Sequence, residues 1–175
     1  MTPPLPADRG FPPIADGDAT TLVLGTMPSQ ASLAAGQYYA HPRNAFWSIM
    51  GRLFDFDPKA PYPERVCELQ RAHVAVWDVI ASCRRPGSLD SDIDATSVVV
   101  NDFSGLLDEC GEIRTIAFNG RTAQALFGKH VRQLTGNAKR YRCLALPSTS
   151  PAHAAMHFET KLERWSVLRK APGTG

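Results

Sequence analysis

Short apolar runs alternate with helically spaced ones along this chain. Thr21 to Thr26, "TLVLGT", is a continuous apolar stretch stopped by Gly25 and Pro28, the pattern of a buried strand. Phe46, Ile49, Met50 and Leu53 then recur at helical spacing and predict a helix from about Asn44 to Phe54. His73 to Ile80, "HVAVWDVI", reads as a second strand, and "SCRRPGSLDSDIDATSV" after it as a loop. "VVVNDFSGLLDEC" fits a helix with Leu106 and Leu107 turned inward. "RTIAF" (114–118) is a third strand, and "RTAQALFGKH" a short helix with Gly128 near its end. "YRCLAL" (141–146) is a fourth strand, cut by Pro147, and residues 158–170 form a last helix. Strands alternating with helices predict an α/β fold: a three-layer α/β/α sandwich around a central, mostly parallel four-stranded sheet.

Such a sheet binds ligands beyond the carboxyl ends of its strands. The first strand is followed by "MPS", the third by "NG" and the fourth by "PSTSPAHA", so three polar segments are expected on one edge. The chain of 175 residues fits a single domain, with residues 1–19, rich in Pro, Gly and Asp, lying along the surface.

Composition narrows the class only a little. Hydrophobic residues make up 43% and charged residues 21%, as in ordinary globular proteins. No apolar run approaches the roughly 20 residues that cross a bilayer, and the N-terminus has no basic start leading into an apolar core. A cytoplasmic, nucleoid-associated location and no membrane contact are therefore expected. Cys67, Cys83, Cys110 and Cys143 are far apart and never form C-x-x-C, which argues for plain reduced thiols and against a zinc or iron–sulfur site.

Net charge is +2, which permits a nucleic-acid partner without requiring one. Its distribution is more informative: Arg121, Lys129, Arg132, Lys139, Arg140 and Arg142 fall within 22 positions that contain no Asp or Glu. That stretch fits a phosphate-facing edge as well as a solvated helix and loop. Asp78 and the acidic group Asp90, Asp92 and Asp94 lack the glycine and terminal glutamate of a calcium loop, and the group reads as a solvated loop. A Ser-His hydrolase built from Ser148 with His41 or His153 lacks the G-x-S-x-G elbow.

The densest chemistry lies in "YYAHPRNAFW", Tyr38 to Trp47. Phe46 and Trp47 look like core, and the polar residues before them look like a site. Together, "LGTMPS", "YYAHPRNAFW", "AFNGRTA" and "LPSTSPAHA" resemble the uracil-DNA glycosylase superfamily over roughly residues 11–168. "WDVIASCRRPGSLDSDI" brings the chain closer to the hypoxanthine-DNA (deoxyinosine) glycosylase branch. The resemblance implies a monofunctional, cofactor-free and metal-free enzyme that excises deaminated bases, chiefly hypoxanthine, from DNA, and a monomer. Mismatch-specific relatives carry their catalytic asparagine where this chain has Met27. The hypoxanthine branch lacks it too, and by resemblance Asn44 is then the residue that places the water.

The residues are chemically suited to those parts. A neutral amide can hold a water beside a developing oxocarbenium ion without repelling phosphates, although Asn44 is equally suited to capping the helix that it opens. By resemblance Tyr39 stacks on the extruded base. Asn119, donor and acceptor at once, matches the O6 and N1–H of hypoxanthine, while an Asn-Gly pair also suits a plain turn. His41 could contact base or phosphate. Ser29, Ser148, Thr149 and Ser150 suit phosphate contacts. His153 and Ala152 stand where relatives carry a wedge, and Ala152 is too small to act as one. Lys129 and Lys139 have no motif that brings either near a pocket, so no Schiff-base lyase step is expected.

Overall fold

The computed structural model describes residues 6–131 and 140–169. Four parallel strands make the central sheet in the order β3-β2-β6-β7: β2 Thr21–Gly25, β3 Val74–Asp78, β6 Thr115–Asn119 and β7 Arg142–Leu146. Helices cover both of its faces, as the alternation of apolar runs predicts. β2, β3 and β6 are buried along their whole length, whereas edge strand β7 is mostly exposed. That is why the first three read as unbroken apolar runs.

Helix α2 (Phe46–Phe54) buries Phe46, Trp47, Ile49, Met50 and Leu53 and packs against α6 (Phe158–Trp165). Phe46 is fully buried, with its ring edge-on to Trp165 at 6.3 Å. Burying a side chain of that size stabilises the fold by about 2–3 kcal/mol. Helix α5 (Arg121–His130) lies against β6 and β7.

The structure adds elements that the pattern missed. Helices α1 (Gln30–Ala35) and α3 (Tyr62–Arg71) bury one residue each, Ser32 and Leu69, so neither carries an apolar stripe to recognise. The stretch expected as one strand over 73–80 divides after Asp78. β4 (Ile80–Cys83) leaves the main sheet and joins β1 (Asp8–Arg9) and β5 (Val99–Val100) in a small antiparallel sheet. Val99 and Val100 thus lie in a strand, and helix α4 starts only at Phe103 (Phe103–Glu109), capped by Asp102.

Within the segment expected along the surface, most of residues 6–19 are exposed or half-buried, yet the segment is tied to the sheet. Ile14 is buried and pairs antiparallel with Val76, exchanging backbone hydrogen bonds of 2.8 and 2.9 Å. The carbonyl of Phe11 accepts from Trp77 Nε1, and that of Pro12 from the Tyr38 hydroxyl. The exposed edge of β3 needs partners for its backbone groups, and this segment supplies them.

Candidate active site

Parallel pairing aligns the carboxyl ends of the strands. Gly25 lies opposite Asp78, and Asn119 opposite Leu146. Beyond that edge is a cleft of about 310 Å³, at the small end of the roughly 300–1,000 Å³ usual for ligand pockets. Three polar segments expected to converge do so here: the cleft is lined by Met27 and Ser29, by Asn119, and by Ser148, Thr149 and Ser150. Tyr39, Asn44 and His153 also reach it. His41 is not among its lining residues; its Nδ1 accepts from the Arg43 N–H at 3.1 Å, which folds the turn ahead of α2. Arg132 and Lys139 of the basic stretch lie outside the described residues, while Arg121, Lys129, Arg140 and Arg142 are exposed.

The decapeptide is held by its first residue. Tyr38 gives its N–H to the Tyr62 hydroxyl, accepts from Trp47 Nε1 on its carbonyl at 2.8 Å, and anchors its own hydroxyl on the N-terminal segment. Tyr39 then turns through the left-handed region, φ +55°, and stacks on Phe46 with ring centroids 4.0 Å apart. Its hydroxyl is buried without a hydrogen-bond partner among the described residues, and burial first, then the neighbouring Asp78, hold it well above the ordinary tyrosine range against the opposing effect of the Asn119 amide. Asn44 stands one residue ahead of the N-cap Ala45; its Oδ1 accepts from the Phe46 N–H at 3.0 Å, and the residue lines the cleft. Oδ1 keeps a second lone pair for a water.

Asn119 and Thr149 are clamped together. Asn119 Nδ2 donates to the Thr149 hydroxyl, and Asn119 Oδ1 accepts from the Thr149 N–H, both at 2.9 Å. One N–H and one lone pair of the amide remain. The Thr149 carbonyl in turn accepts from the Ala45 N–H at 3.0 Å, so three segments of the cleft form one bonded unit. The other hydroxyls are used locally: Ser29 caps α1, Ser148 accepts from the Ser150 N–H, and Ser150 from the Ala152 N–H. Buried Lys161, which no sequence signal singled out, donates to the His153 carbonyl at 2.8 Å and braces the same turn.

The acidic group does form a solvated loop, with Asp90 and Asp92 exposed and Asp94 half-buried, whereas Asp78 lies elsewhere. Asp78 is buried at the end of β3 and lines the cleft. Asp90 lines it too and accepts from the Thr26 hydroxyl at 3.1 Å. Only Asp92 and Asp94 stay outside the lining, with Asp94 paired to Arg84 at 3.1 Å. Behind the wall the guanidinium of Arg85 is wholly buried. It pairs with Asp8 at 3.1 Å and donates to the carbonyls of Pro28 and Ser88.

The chain that builds this cleft at the carboxyl edge of a four-stranded parallel sheet is similar to known proteins in sequence and fold. Residues 12–169 match the Uracil DNA glycosylase superfamily. The chain belongs to that superfamily. Within it, the chain is 34% identical over 162 residues to a hypoxanthine DNA glycosylase of Methanosarcina acetivorans, covering 92% of this chain and 98% of the relative. A second hypoxanthine DNA glycosylase, from Methanosarcina barkeri, is 34% identical over 114 residues, 65% of this chain and 71% of the relative. The solution NMR structure of a candidate uracil DNA glycosylase from Methanosarcina acetivorans superposes with a TM-score of 0.77 at 32% identity, over 93% of this chain and 97% of that one. The superfamily assignment agrees with the resemblance carried by the four motifs.

Proposed function

We propose that this superfamily member is a monofunctional DNA glycosylase that extrudes a deaminated base, chiefly hypoxanthine, and hydrolyses its N-glycosidic bond. The observation that carries the reading is one cleft holding Asn44, Tyr39 and Asn119 together at the carboxyl edge of the sheet. The two Methanosarcina relatives named for hypoxanthine support the choice of base. Asn44 places the water at C1′. Tyr39, backed by Phe46, offers a ring to the extruded base, and Met27 supplies an apolar wall beside it. Asn119 reads the base edge with the N–H and lone pair that Thr149 leaves over. The turns at Ser29 and at Ser148, Thr149 and Ser150, with His153 beside them, meet the phosphates. No cofactor takes part in this scheme. The enzyme works as a monomer, in the cytoplasm, on nucleoid DNA; no helix among the described residues is long and apolar enough to cross a membrane.

A labelled oligonucleotide carrying deoxyinosine, incubated with the protein and then treated with alkali, is expected to break at the lesion. An intact strand would end the proposal. Uracil, xanthine and mismatched thymine in the same assay rank the substrates, and faster release of uracil than of hypoxanthine would replace the base named here.

Tyr39→Ala tests the stacking. Base–aromatic stacking contributes about 1–3 kcal/mol, so affinity for lesion DNA is expected to fall roughly tenfold or more while affinity for undamaged DNA barely changes. Equal losses on both would make Tyr39 a packing residue only.

A further inference from the structure

Asp78 has no part in the scheme above, yet it occupies the floor of the cleft. It closes β3 directly opposite Gly25. It is 4% exposed, and its Oδ2 and the Tyr39 hydroxyl are buried polar atoms with no hydrogen-bond partner among the described residues. The other carboxyl oxygen of Asp78, Oδ1, and the Tyr39 hydroxyl face the space that glycine leaves at position 25. A Cβ there would stand 2.4 Å from Asp78 Oδ1 and 3.0 Å from the Tyr39 hydroxyl. The strand end is thus kept bare, and two unsatisfied polar groups border the gap. Buried polar groups ordinarily have partners, so a pair of orphans in a ligand cleft points to a partner that arrives with the ligand.

The protonation state follows from the surroundings. No donor among the described residues reaches Oδ2, and a buried carboxylate without donors is strongly disfavoured. The facing groups are Asp90 and Arg85 from the 84–98 segment and Tyr38 and Tyr39 from the turn before α2. Burial raises the Asp78 carboxyl most, Asp90 raises it further, and Arg85 opposes them, leaving it at about 7.

Resting on the glycosylase reading, we propose that Asp78, as a neutral carboxylic acid, donates a hydrogen bond to the O6/N7 edge of the extruded purine and passes its proton to N7 as the base leaves. The C1′–N9 bond breaks and its electron pair stays with the base. The proton from Asp78 neutralises the departing hypoxanthine. The water held by Asn44 bonds to C1′, and the proton that it sheds returns through solvent to the Asp78 carboxylate. Uracil has no N7 and gains little from the transfer.

The test compares the wild type with Asp78→Asn and Asp90→Asn in single-turnover release of hypoxanthine and uracil between pH 5.5 and 9, a window chosen to bracket the Asp78 carboxyl. In the wild type, hypoxanthine release is expected to fall as pH rises through about 7, because the acid form is the active one. Asp78→Asn can still donate a hydrogen bond but has no proton to transfer. It is expected to bind inosine-containing DNA as before, to release hypoxanthine roughly 100-fold more slowly, and to lose that pH dependence. Any uracil release is expected to change far less. Asp90→Asn removes a neighbouring negative charge, so the fall moves to lower pH, a readout that does not require Asp78 to be altered. A wild-type rate that does not fall through this range, or an Asp78→Asn protein that keeps the wild-type rate or its high-pH fall, would overturn the role of Asp78 while leaving the glycosylase reading standing. A wild type that releases no hypoxanthine at any pH would overturn both.

Discussion

Asn44→Ala is expected to lose roughly 100- to 1,000-fold in base release, the usual cost of removing one positioned polar group from a reaction centre, while DNA affinity stays nearly constant. The residue also has a structural duty. Its Oδ1 accepts from the Phe46 N–H at 3.0 Å, at the start of the helix that carries the buried Phe46 and Trp47. Losing that bond costs about 1 kcal/mol, a fall of some 2–4 °C in Tm for a chain of this size. The two duties can be separated. Asn44→Ser keeps an oxygen for the Phe46 N–H but is too short to hold the same water. Its Tm is expected to approach that of the wild type while its activity stays with Asn44→Ala. If Asn44→Ala releases hypoxanthine at the wild-type rate well below its Tm, the water is placed by another group and the mechanism must be rebuilt around it.

Arg85→Met is expected to be the most destabilising of the substitutions considered. The guanidinium is wholly buried and ties three segments together: Asp8 in β1, the Pro28 carbonyl between β2 and α1, and the Ser88 carbonyl in the loop that carries Asp90. Methionine fills a similar volume but takes the guanidinium from the half-buried Asp8 carboxylate and leaves the buried Pro28 carbonyl without its donor. Breaking a buried pair in this way costs about 3 kcal/mol or more, or roughly 10 °C in Tm. Gln30, whose Nε2 donates to Asp8 at 2.7 Å, supplies partial relief and keeps the cost at the low end. Activity falls as well, because Pro28 and the Ser88–Asp90 loop form part of the cleft wall. A thermal unfolding curve displaced by less than about 2 °C would show that the guanidinium is a passenger and not a staple.

The sequence by itself determined the sheet and the edge that carries the site. A strand buried on both faces needs apolar side chains on both, so β2, β3 and β6 stand out as unbroken runs, and parallel order puts whatever follows each of them on one side. That is why Met27, Ser29, Asn119 and the Ser148–Ser150 turn were legible as one place before any coordinate was known. Helix α2 was legible for the same reason, since Phe46, Ile49, Met50 and Leu53 must share a face. Tertiary structure alone decided the rest. Helices α1 and α3 have too few buried positions to leave a periodic signal. Ile14 pairs with Val76 because an open strand edge demanded a partner, not because of a local pattern. Above all, the sequence does not distinguish an aspartate in water from one in the interior. Asp78, Asp90, Asp92 and Asp94 are the same residue type, and only the packing of Gly25 and Tyr39 beside Asp78 separates the cleft floor from a solvated loop. The charge state of a carboxyl depends on the water and donors around it, and those are set by segments far away in the chain.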